Sequence, residues 1–427
     1  MRTTATQPLM LALLIAVSSR ACTSSEDSVS PDAGAGADAQ LDASAMDAHA
    51  DVDLEVDATA PCSNGCILAS KSIGTFSREE IAAAVPPTVV VENGYAIYWL
   101  TFVTNGRTAN ATVTIPAGAA QPPVNGWSIA VNNPGTVGVA DKCAVAFTLT
   151  GSGLSGYFGA RGYIGVTIDY PGLGTGGFHP YLDGEVDGRA SLDAIRATQE
   201  LLADLGTVYS GKAVVAGLSQ GGHATLFAAS EQPTYAPELN VVGYAVVGPA
   251  SVFLEHWQPG LGFDGSHLVY HALLSHSWSK VYIGPSPFVD GTIAPLIDDH
   301  CFFATNTPAL ESVLSQKPAE IFSAKFLTEF SAGTFTAFGF MQTGFSKNRL
   351  QAFDQAAPIR IYQGDADVVV TEPATAELVA ELQKGNAKIE YIVVPGGGHT
   401  DIAFSYLASP QSHTDEAIAW FDSLTSP

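Results

Sequence analysis

A serine placed between glycines, where an apolar strand turns into a helix, is the feature that most constrains this chain. Residues 213–216 (Ala-Val-Val-Ala) predict a short buried strand, and residues 220–229 predict a helix rich in Ala, Leu and Phe. Ser219 lies in the turn between them, with Gly217 two residues before it and Gly221 two residues after it. Such a tight turn needs small flanking residues and holds the serine hydroxyl out at the top of a sheet. Ser219 is therefore the first candidate for a nucleophile.

A serine nucleophile requires two partners, because its hydroxyl is weakly reactive at neutral pH. A histidine base and an orienting carboxylate are expected in the chain order serine, acid, histidine. Residues 359–363 predict a late strand that leads into Asp365 and Asp367, and residues 389–394 predict another that leads into three glycines and His399. The carboxyl ends of such strands border the ligand crevice of open α/β sheets. His399 is the predicted base, and Asp365 and Asp367 both stay open as the acid.

Two further histidines compete with His399 for the role of base. His223 lies one turn into the helix that follows Ser219, where packing or a supporting hydrogen bond is the expected role. His413 is expected just before the last helix of the chain. Both are therefore predicted to lie outside the catalytic group.

An oxyanion hole is expected beside the serine. The backbone N–H of Gln220, the residue after the nucleophile, is predicted to supply one donor. The second donor is expected in the loop after an early strand, which is predicted at residues 127–132. That loop reads Asn-Pro-Gly-Thr, so Gly135 and Thr136 are the candidates. A simple Pro-Gly turn that ends the strand is an equally good interpretation of these two residues.

Several segments around the serine resemble the secretory lipases, a family that includes the lipase A type of yeast. They are residues 166–174 (Val-Thr-Ile-Asp-Tyr-Pro-Gly-Leu-Gly), 179–182 (His-Pro-Tyr-Leu), 188–197 and the Gly-Leu-Ser-Gln-Gly turn itself. The likeness runs from about residue 74 to the C-terminus, and it suggests a bacterial, exported member of the family. It implies an α/β-hydrolase fold, in which a mostly parallel central sheet is flanked by helices, and a carboxylic ester hydrolase (esterase or lipase) activity. It also favours Asp367 as the acid, because hydrolases commonly show Gly-x-x-Asp at this point.

The resemblance further implies an inserted helical cap or lid at about residues 251–345, where the alternation of strands and helices stops. Helices are predicted there at residues 268–278, 308–316 and 319–330. The aromatic residues of the cap are expected either to line an acyl tunnel or to form the core of the cap. They include Phe302, Phe303, Phe322, Phe326, Phe335 and Phe340.

The start of the chain predicts export. Residues 1–21 combine an early basic residue with an apolar run that is too short for a membrane span, as in a signal peptide. Residues 22–61 are rich in Asp, Ala, Ser and Gly and contain no Lys or Arg, which predicts a disordered tether. Cys22 lies where a bacterial cell-envelope lipoprotein would be cut and acylated, and lipidation is favoured over simple secretion, which stays open. Residues 62–427 are predicted to form one hydrolase domain.

The four cysteines beyond Cys22 agree with export and allow three patterns of disulfide pairing. Cys62 and Cys66 flank a Ser-Asn-Gly turn that is able to bring them together. A zinc site is the alternative for this pair, although no neighbouring His or Cys completes a tetrahedral set. For Cys143 and Cys301, the family resemblance implies a long-range disulfide.

The charge of the chain limits its partners. The formal net charge is −24 over 427 residues. Because like charges repel, so acidic a chain is not expected to bind nucleic acid or an anionic membrane. A small-molecule or lipid ester is the expected partner, with membrane contact only through an N-terminal lipid anchor. Neither a cofactor nor a metal is expected, since the glycine-rich run at 172–177 lacks the spacing and the acidic residue of a dinucleotide site. A serine peptidase of the same fold and a catalytically silent, surface-tethered binding module remain alternatives.

Overall fold

The computed structural model describes residues 62–118, 122–259, 267–305, 307–401, 403–404 and 413–426. The predicted signal peptide, the tether and Cys22 lie outside these residues. Within these ranges, no helix is long and apolar enough to cross a lipid bilayer. The same ranges contain no group of three or more His, Cys, Asp or Glu side chains that is able to hold a metal ion.

A mostly parallel sheet forms the centre of the described residues. Its strands are β1 (Ile67–Phe76), β2 (Gly94–Thr104), β3 (Arg107–Ala117), β4 (Trp127–Asn133), β5 (Ile164–Asp169), β6 (Tyr209–Leu218), β7 (Val241–Val247), β8 (Ile359–Gly364) and β9 (Ile389–Val394). Their order across the sheet is β1-β2-β3-β5-β4-β6-β7-β8-β9. The pairs β1–β2, β2–β3 and β3–β5 are antiparallel, and every later pair in this order is parallel.

Helices lie on both sides of this sheet and in one long insertion. They are α1 (Arg78–Ala84), α2 (Leu149–Ala160), α3 (Gly184–Asp204), α4 (Gln220–Tyr235), α5 (Leu254–Trp257), α6 (His267–Val281), α7 (Ile293–Asp299), α8 (Leu310–Val313), α9 (Pro318–Ile321), α10 (Ala324–Ala332), α11 (Gly339–Asn348), α12 (Glu372–Leu382) and α13 (Thr414–Thr425). The insertion comprises α5 to α11, between β7 and β8. The central sheet with helices on both faces confirms the predicted α/β-hydrolase architecture.

Alternate residues of the central strands enter two separate hydrophobic cores. Ile129 and Val131 of β4 share one core with residues of α3 and α4. Ala130, between them, shares the other core with residues of α2 and α13. All three side chains are fully buried. Because a strand covered on both faces needs apolar residues at every position, these strands are visible in the sequence as continuous apolar runs.

The helical insertion has a core of its own, separate from the two cores of the sheet. The helix predicted at residues 268–278 is confirmed and extends over His267–Val281. The helix predicted at 308–316 is much shorter, spanning only Leu310–Val313. The helix predicted at 319–330 is wrong as a single element, because it is divided into α9 and α10. Phe322, between them, forms a bridge with Phe288 instead of continuing the helix.

The aromatic residues of the insertion mostly pack against one another. Phe322 and Phe326 stack with ring centroids 5.1 Å apart, and both are buried, as are Phe335 and Phe340. These four belong to the core of the insertion, which is the second of the two expected roles. Phe302 is half-buried and Phe303 is exposed.

Two disulfides join the four cysteines of the described ranges, and both pairings agree with the sequence predictions. Cys62 pairs with Cys66, so neither sulfur is available as a zinc thiolate. Cys143 pairs with Cys301 across 158 residues of chain. The second bridge joins the loop after β4 to the helical insertion.

Candidate active site

Ser219 occupies a strained backbone conformation between β6 and α4. Its φ of 58° and ψ of −116° are unusual for a residue with a side chain. A side chain on Gly217 would overlap the carbonyl of Gly221, and one on Gly221 would overlap the carbonyl of Asn133. The two glycines are therefore required by close backbone contacts. The Ser219 side chain is held in this turn with 7% of the residue exposed.

Asp367 and His399 form a hydrogen-bonded pair beyond the ends of β8 and β9. Nδ1 of His399 donates to Oδ2 of Asp367 over 2.7 Å. The other carboxylate oxygen, Oδ1, accepts from the backbone N–H groups of Val369 and Val370 at 2.8 and 2.9 Å. Because backbone donors hold Oδ1 of this buried carboxylate in place, Oδ2 keeps the imidazole in one orientation, with Nδ1 as its donor.

The loop after β7 joins Ser219 to this pair. The backbone N–H of Ser219 donates to the carbonyl of Val247 over 2.9 Å. The next residue, Gly248, has a φ of +43°, and a Cβ on it would lie 3.2 Å from Oδ2 of Asp367 and 3.3 Å from Nδ1 of His399. Gly248 thus leaves room for the pair beside the tight turn at residues 217–221, which we call the elbow. The three predicted residues lie at the same edge of the sheet.

The competing candidates lie in other surroundings. Oδ1 of Asp365 accepts from the backbone N–H of Gly396 over 2.6 Å, so this carboxylate ties two loops together. Nε2 of His223 donates to the carbonyl of Asn348. Nδ1 of His413 lies 2.9 Å from a carboxylate oxygen of Glu416. Of the acids left open by the sequence, Asp367 is the one that contacts His399.

Two of the three predicted oxyanion residues, Gln220 and Gly135, lie next to Ser219. Gln220 is the first residue of α4, where a backbone N–H has no carbonyl partner within the helix. A Cβ on Gly135 would lie 4.0 Å from Cβ of Ser219. The hydroxyl of Thr136 lies 2.8 Å from the hydroxyl of Tyr181. Gly135 is thus in direct contact with the elbow, while the side chain of Thr136 faces Tyr181.

A buried polar group surrounds the side chain of Gln220 and was not predicted from the sequence. The side-chain amide of Gln220 lies 2.6 Å from Nε2 of His179 and donates to Oδ2 of Asp187 over 3.3 Å. All three residues are fully buried. Burial lowers the pKa of His179 to about 3 and raises that of Asp187 well above its usual value. His179 belongs to the His-Pro-Tyr-Leu segment, which is one of the segments that resemble the secretory lipases. No role for His179 was predicted from that resemblance.

Gln363 is a second residue that the sequence did not single out. Its side-chain amide donates to Oδ2 of Asp367 over 3.2 Å and to the carbonyl of Val370 over 2.8 Å. Its oxygen accepts from the hydroxyl of Thr375 over 2.6 Å. Gln363 is the penultimate residue of β8, and a polar residue at the end of a buried strand was the available signal. It supports Oδ2 of Asp367, whereas Val369 supports Oδ1.

A second hydrogen-bonded group of serine, histidine and acid begins in the segment that follows β7. The hydroxyl of Ser251 lies 2.6 Å from Nδ1 of His256, whose Nε2 lies 3.0 Å from a carboxylate oxygen of Glu377. Ser251 is as buried as Ser219, at 6% exposure. Unlike Ser219, it does not have a positive φ. Ser251 therefore lacks the strained turn that characterises a nucleophile elbow and serves as a natural comparison.

Known proteins resemble this chain both in sequence and in fold. Residues 157–256 match the family model described as secretory lipase. Lipase A from Moesziomyces aphidis is 33% identical over 196 residues, which cover 40% of this chain and 39% of that protein. The matched part is thus well under half the length of that relative.

Solved structures share the fold over most of the described chain. The rice cell wall degrading esterase LipA from Xanthomonas oryzae superposes with a TM-score of 0.67 at 18% identity, covering 84% of this chain and 98% of that one. Candida antarctica lipase A in its closed state gives a TM-score of 0.59 at 20% identity, covering 80% and 79%. The chain is thus similar in sequence to the secretory lipases over residues 157–256, and its described residues have the α/β-hydrolase fold.

Proposed function

We propose that this protein is a serine hydrolase that cleaves carboxylic esters through an acyl-enzyme. Ser219 is the nucleophile, His399 the base and Asp367 the acid that orients the imidazole. The observation that carries the proposal is the strained Ser219, which is linked through Val247 and Gly248 to the hydrogen-bonded Asp367–His399 pair. The match of residues 157–256 to the secretory lipase model and the likeness to the folds of an esterase and a lipase support the same class of reaction.

The reaction follows from the roles of these groups. Oγ of Ser219 attacks the ester carbonyl carbon while Nε2 of His399 takes the hydroxyl proton. The tetrahedral intermediate then collapses: the bond to the alcohol oxygen breaks, and His399 returns the proton to that oxygen. A water molecule attacks the acyl-enzyme with His399 again as base, which releases the carboxylic acid and restores Ser219. Throughout, Asp367 stabilises the protonated imidazole, and the backbone N–H groups of Gln220 and Gly135 or Thr136 stabilise the negative oxygen.

The substrate class is an uncharged acyl ester with a short or medium chain. Four aromatic side chains that would suit a long acyl tunnel are engaged in the core of the insertion. The net charge of −24 disfavours adsorption to anionic lipid surfaces. A lipid ester of moderate chain length therefore fits better than an emulsified long-chain triglyceride.

The protein is proposed to be exported. Residues 1–21 act as the signal peptide, and residues 22–61 act as a tether that carries an acyl group on Cys22. The paired cysteines of the hydrolase domain suit an oxidising compartment. Mass analysis of the mature N-terminus decides between a lipoprotein and a freely secreted enzyme: an acylated Cys22 supports the first, and an unmodified N-terminus overturns it.

A pair of serine variants tests the proposed chemistry. Ser219→Ala is expected to lower kcat for p-nitrophenyl butyrate by a factor of about 10⁴ or more, with an unchanged melting temperature. Ser251→Ala, which alters an equally buried serine that also contacts a histidine, is expected to keep kcat within about threefold of wild type. Retention of more than a tenth of the activity in Ser219→Ala, or loss of activity only in Ser251→Ala, overturns the assignment.

A further inference from the structure

Two buried side chains contact the residues proposed for the oxyanion hole: Tyr170 contacts the carbonyl of Pro134, in the peptide that carries the Gly135 N–H, and His179 contacts the side chain of Gln220. We propose that Tyr170 is a positioning residue that orients the Gly135 N–H as the second oxyanion donor, and that His179 couples it to the first, Gln220. This inference rests on the proposed function, because it requires Ser219 to be the nucleophile.

The contact between Tyr170 and the loop after β4 is the first step. The fully buried Tyr170 donates its hydroxyl hydrogen to the carbonyl oxygen of Pro134 over 2.8 Å. That carbonyl belongs to the same peptide unit as the N–H of Gly135. A trans peptide is planar, with its C=O and N–H pointing in opposite directions, and the described residues contain no cis peptide. Fixing the Pro134 oxygen therefore fixes the direction of the Gly135 N–H.

The nucleophile helix constrains the same peptide from a second side. A Cβ on Gly221, in the first turn of α4, would lie 2.8 Å from the carbonyl oxygen of Pro134. The Pro134 carbonyl is thus held between Gly221 and the hydroxyl of Tyr170. Gly135 then lies against Leu218 and Ser219, where a Cβ would be 3.5 Å from the Leu218 carbonyl oxygen. Its amide is consequently oriented relative to the nucleophile, as an oxyanion donor must be.

His179 connects this support to Gln220. Its ring stacks on the ring of Tyr170, with centroids 5.3 Å apart and an interplanar angle of 12°. Its Nε2 lies 2.6 Å from the side-chain amide of Gln220. Burial lowers the pKa of His179, so the imidazole is neutral and its Nε2 accepts this hydrogen bond. His179 therefore contacts both Tyr170, which holds the peptide of the second donor, and Gln220, which carries the first donor.

The segment that contains His179 is anchored to the helical insertion. The hydroxyl of Ser277, in α6, donates to the carbonyl of His179 over 2.9 Å and accepts from the backbone N–H of Tyr181 over 2.8 Å. The indole of Trp278 donates to the carbonyl of Tyr181 over 2.9 Å. Residues 179–181 are thus held on two sides, which gives His179 the rigidity that a positioning role needs.

Tyr170→Phe tests the inference, because it removes one hydroxyl and keeps the ring that stacks on His179. Tyr163→Phe is the matched control: Tyr163 is also buried, and its hydroxyl donates to Asp422 away from the elbow. Rates are measured with p-nitrophenyl butyrate and referred to active sites counted by the p-nitrophenolate burst, so unfolded protein does not contribute. Inhibition by an alkyl trifluoromethyl ketone is measured alongside, because its adduct carries the negative oxygen that the two amides bind.

For Tyr170→Phe, kcat is expected to fall about tenfold with KM within twofold, and trifluoromethyl ketone binding is expected to weaken by a similar factor. Tyr163→Phe is expected to match wild type in both readouts. An unchanged kcat and inhibitor affinity in Tyr170→Phe, or a change confined to KM, overturns the inference and leaves the proposed function intact. A wild-type protein that hydrolyses no ester and shows no burst removes the proposed function itself.

Discussion

Nδ1 of His399 and Oδ2 of Asp367 lie 2.7 Å apart, and the same carboxylate accepts from two backbone N–H groups through Oδ1. This arrangement predicts that the carboxylate orients the ring and stabilises its protonated form during turnover. Asp365, two residues earlier, is exposed and bound to the backbone of Gly396. The two acids of one loop therefore have different structural roles.

Replacing each acid by its amide separates these roles. Asp367→Asn is expected to lower kcat by a factor of about 10⁴, because the amide favours the wrong tautomer of His399. Asp365→Asn, the matched control, is expected to remain within about threefold of wild type. Steady-state hydrolysis of p-nitrophenyl butyrate by both variants is the measurement. A larger loss in Asp365→Asn than in Asp367→Asn would contradict the assignment of the acid.

The buried carboxyl group of Asp169 predicts a pH dependence of stability. Burial raises the pKa of this group to about 7, although Oδ1 accepts from the backbone N–H groups of Val145 and Ala146. In the unfolded chain its pKa is near 4. As pH rises from about 4 to 7, the unfolded chain releases this proton before the folded protein does, so the free energy of unfolding falls, by at most about 4 kcal/mol.

Asp169→Asn removes this titration and keeps an oxygen acceptor at the same position. Urea unfolding midpoints at pH 4.5 and pH 8 are measured for wild type and variant. The wild type is expected to lose more stability than the variant between the two pH values. Asp187 is also buried, but it is present in both proteins, so its contribution to the pH dependence cancels when the two are compared. Equal pH dependence in the two proteins would show that Asp169 does not carry the effect.

The two disulfides are expected to stabilise the fold unequally. In the chain-entropy model the Cys143–Cys301 bridge, which closes 158 residues, contributes about 5 kcal/mol, and the Cys62–Cys66 bridge, with a separation of 4, contributes about 2 kcal/mol. Double alanine variants of each pair are compared by denaturant unfolding of the otherwise intact protein. If the short bridge proved the more important one, loop-closure entropy would not explain their effects.

Acyl chain length tests the substrate class. The rate per enzyme on p-nitrophenyl esters is expected to peak between about C4 and C8 and to fall for longer chains. The reason is that Phe322, Phe326, Phe335 and Phe340 pack within the insertion. A series from C2 to C16, with emulsified triglyceride included, is the measurement. A rate that climbs steadily beyond C8 and rises again above the solubility limit of the ester would identify interfacial activation instead.

Local signals predicted the parts of the protein that local geometry controls. The elbow was predictable because a strand, a strained turn and a helix each have a short sequence pattern around Ser219. His399 and the Asp365–Asp367 loop were predictable because both follow apolar strands. The choice between the two acids needed either the family resemblance or the structure. Nothing local determines which of two loop carboxylates points at a histidine 32 residues later.

Contacts between distant segments could not be predicted. The helix expected at 319–330 has good apolar spacing, yet Phe322 pairs with Phe288 and Ser323 caps a new helix by accepting from Phe326 N–H. The cluster of His179, Asp187 and Gln220 is likewise assembled from a loop and two helices. A buried acid within the apolar spacing of α3 was the signal available for Asp187, and it is equally typical of a structural ion pair.

The attachment site of a fluorophosphonate probe tests the central claim most directly. Wild-type protein is reacted with the probe, and the modified peptide is identified by mass spectrometry of a digest. The proposed function predicts one adduct per chain on Ser219, no adduct on Ser251, and no labelling of Ser219→Ala. Labelling of Ser251 alone, or no labelling of folded wild-type protein, would contradict the assignment of Ser219 as the nucleophile.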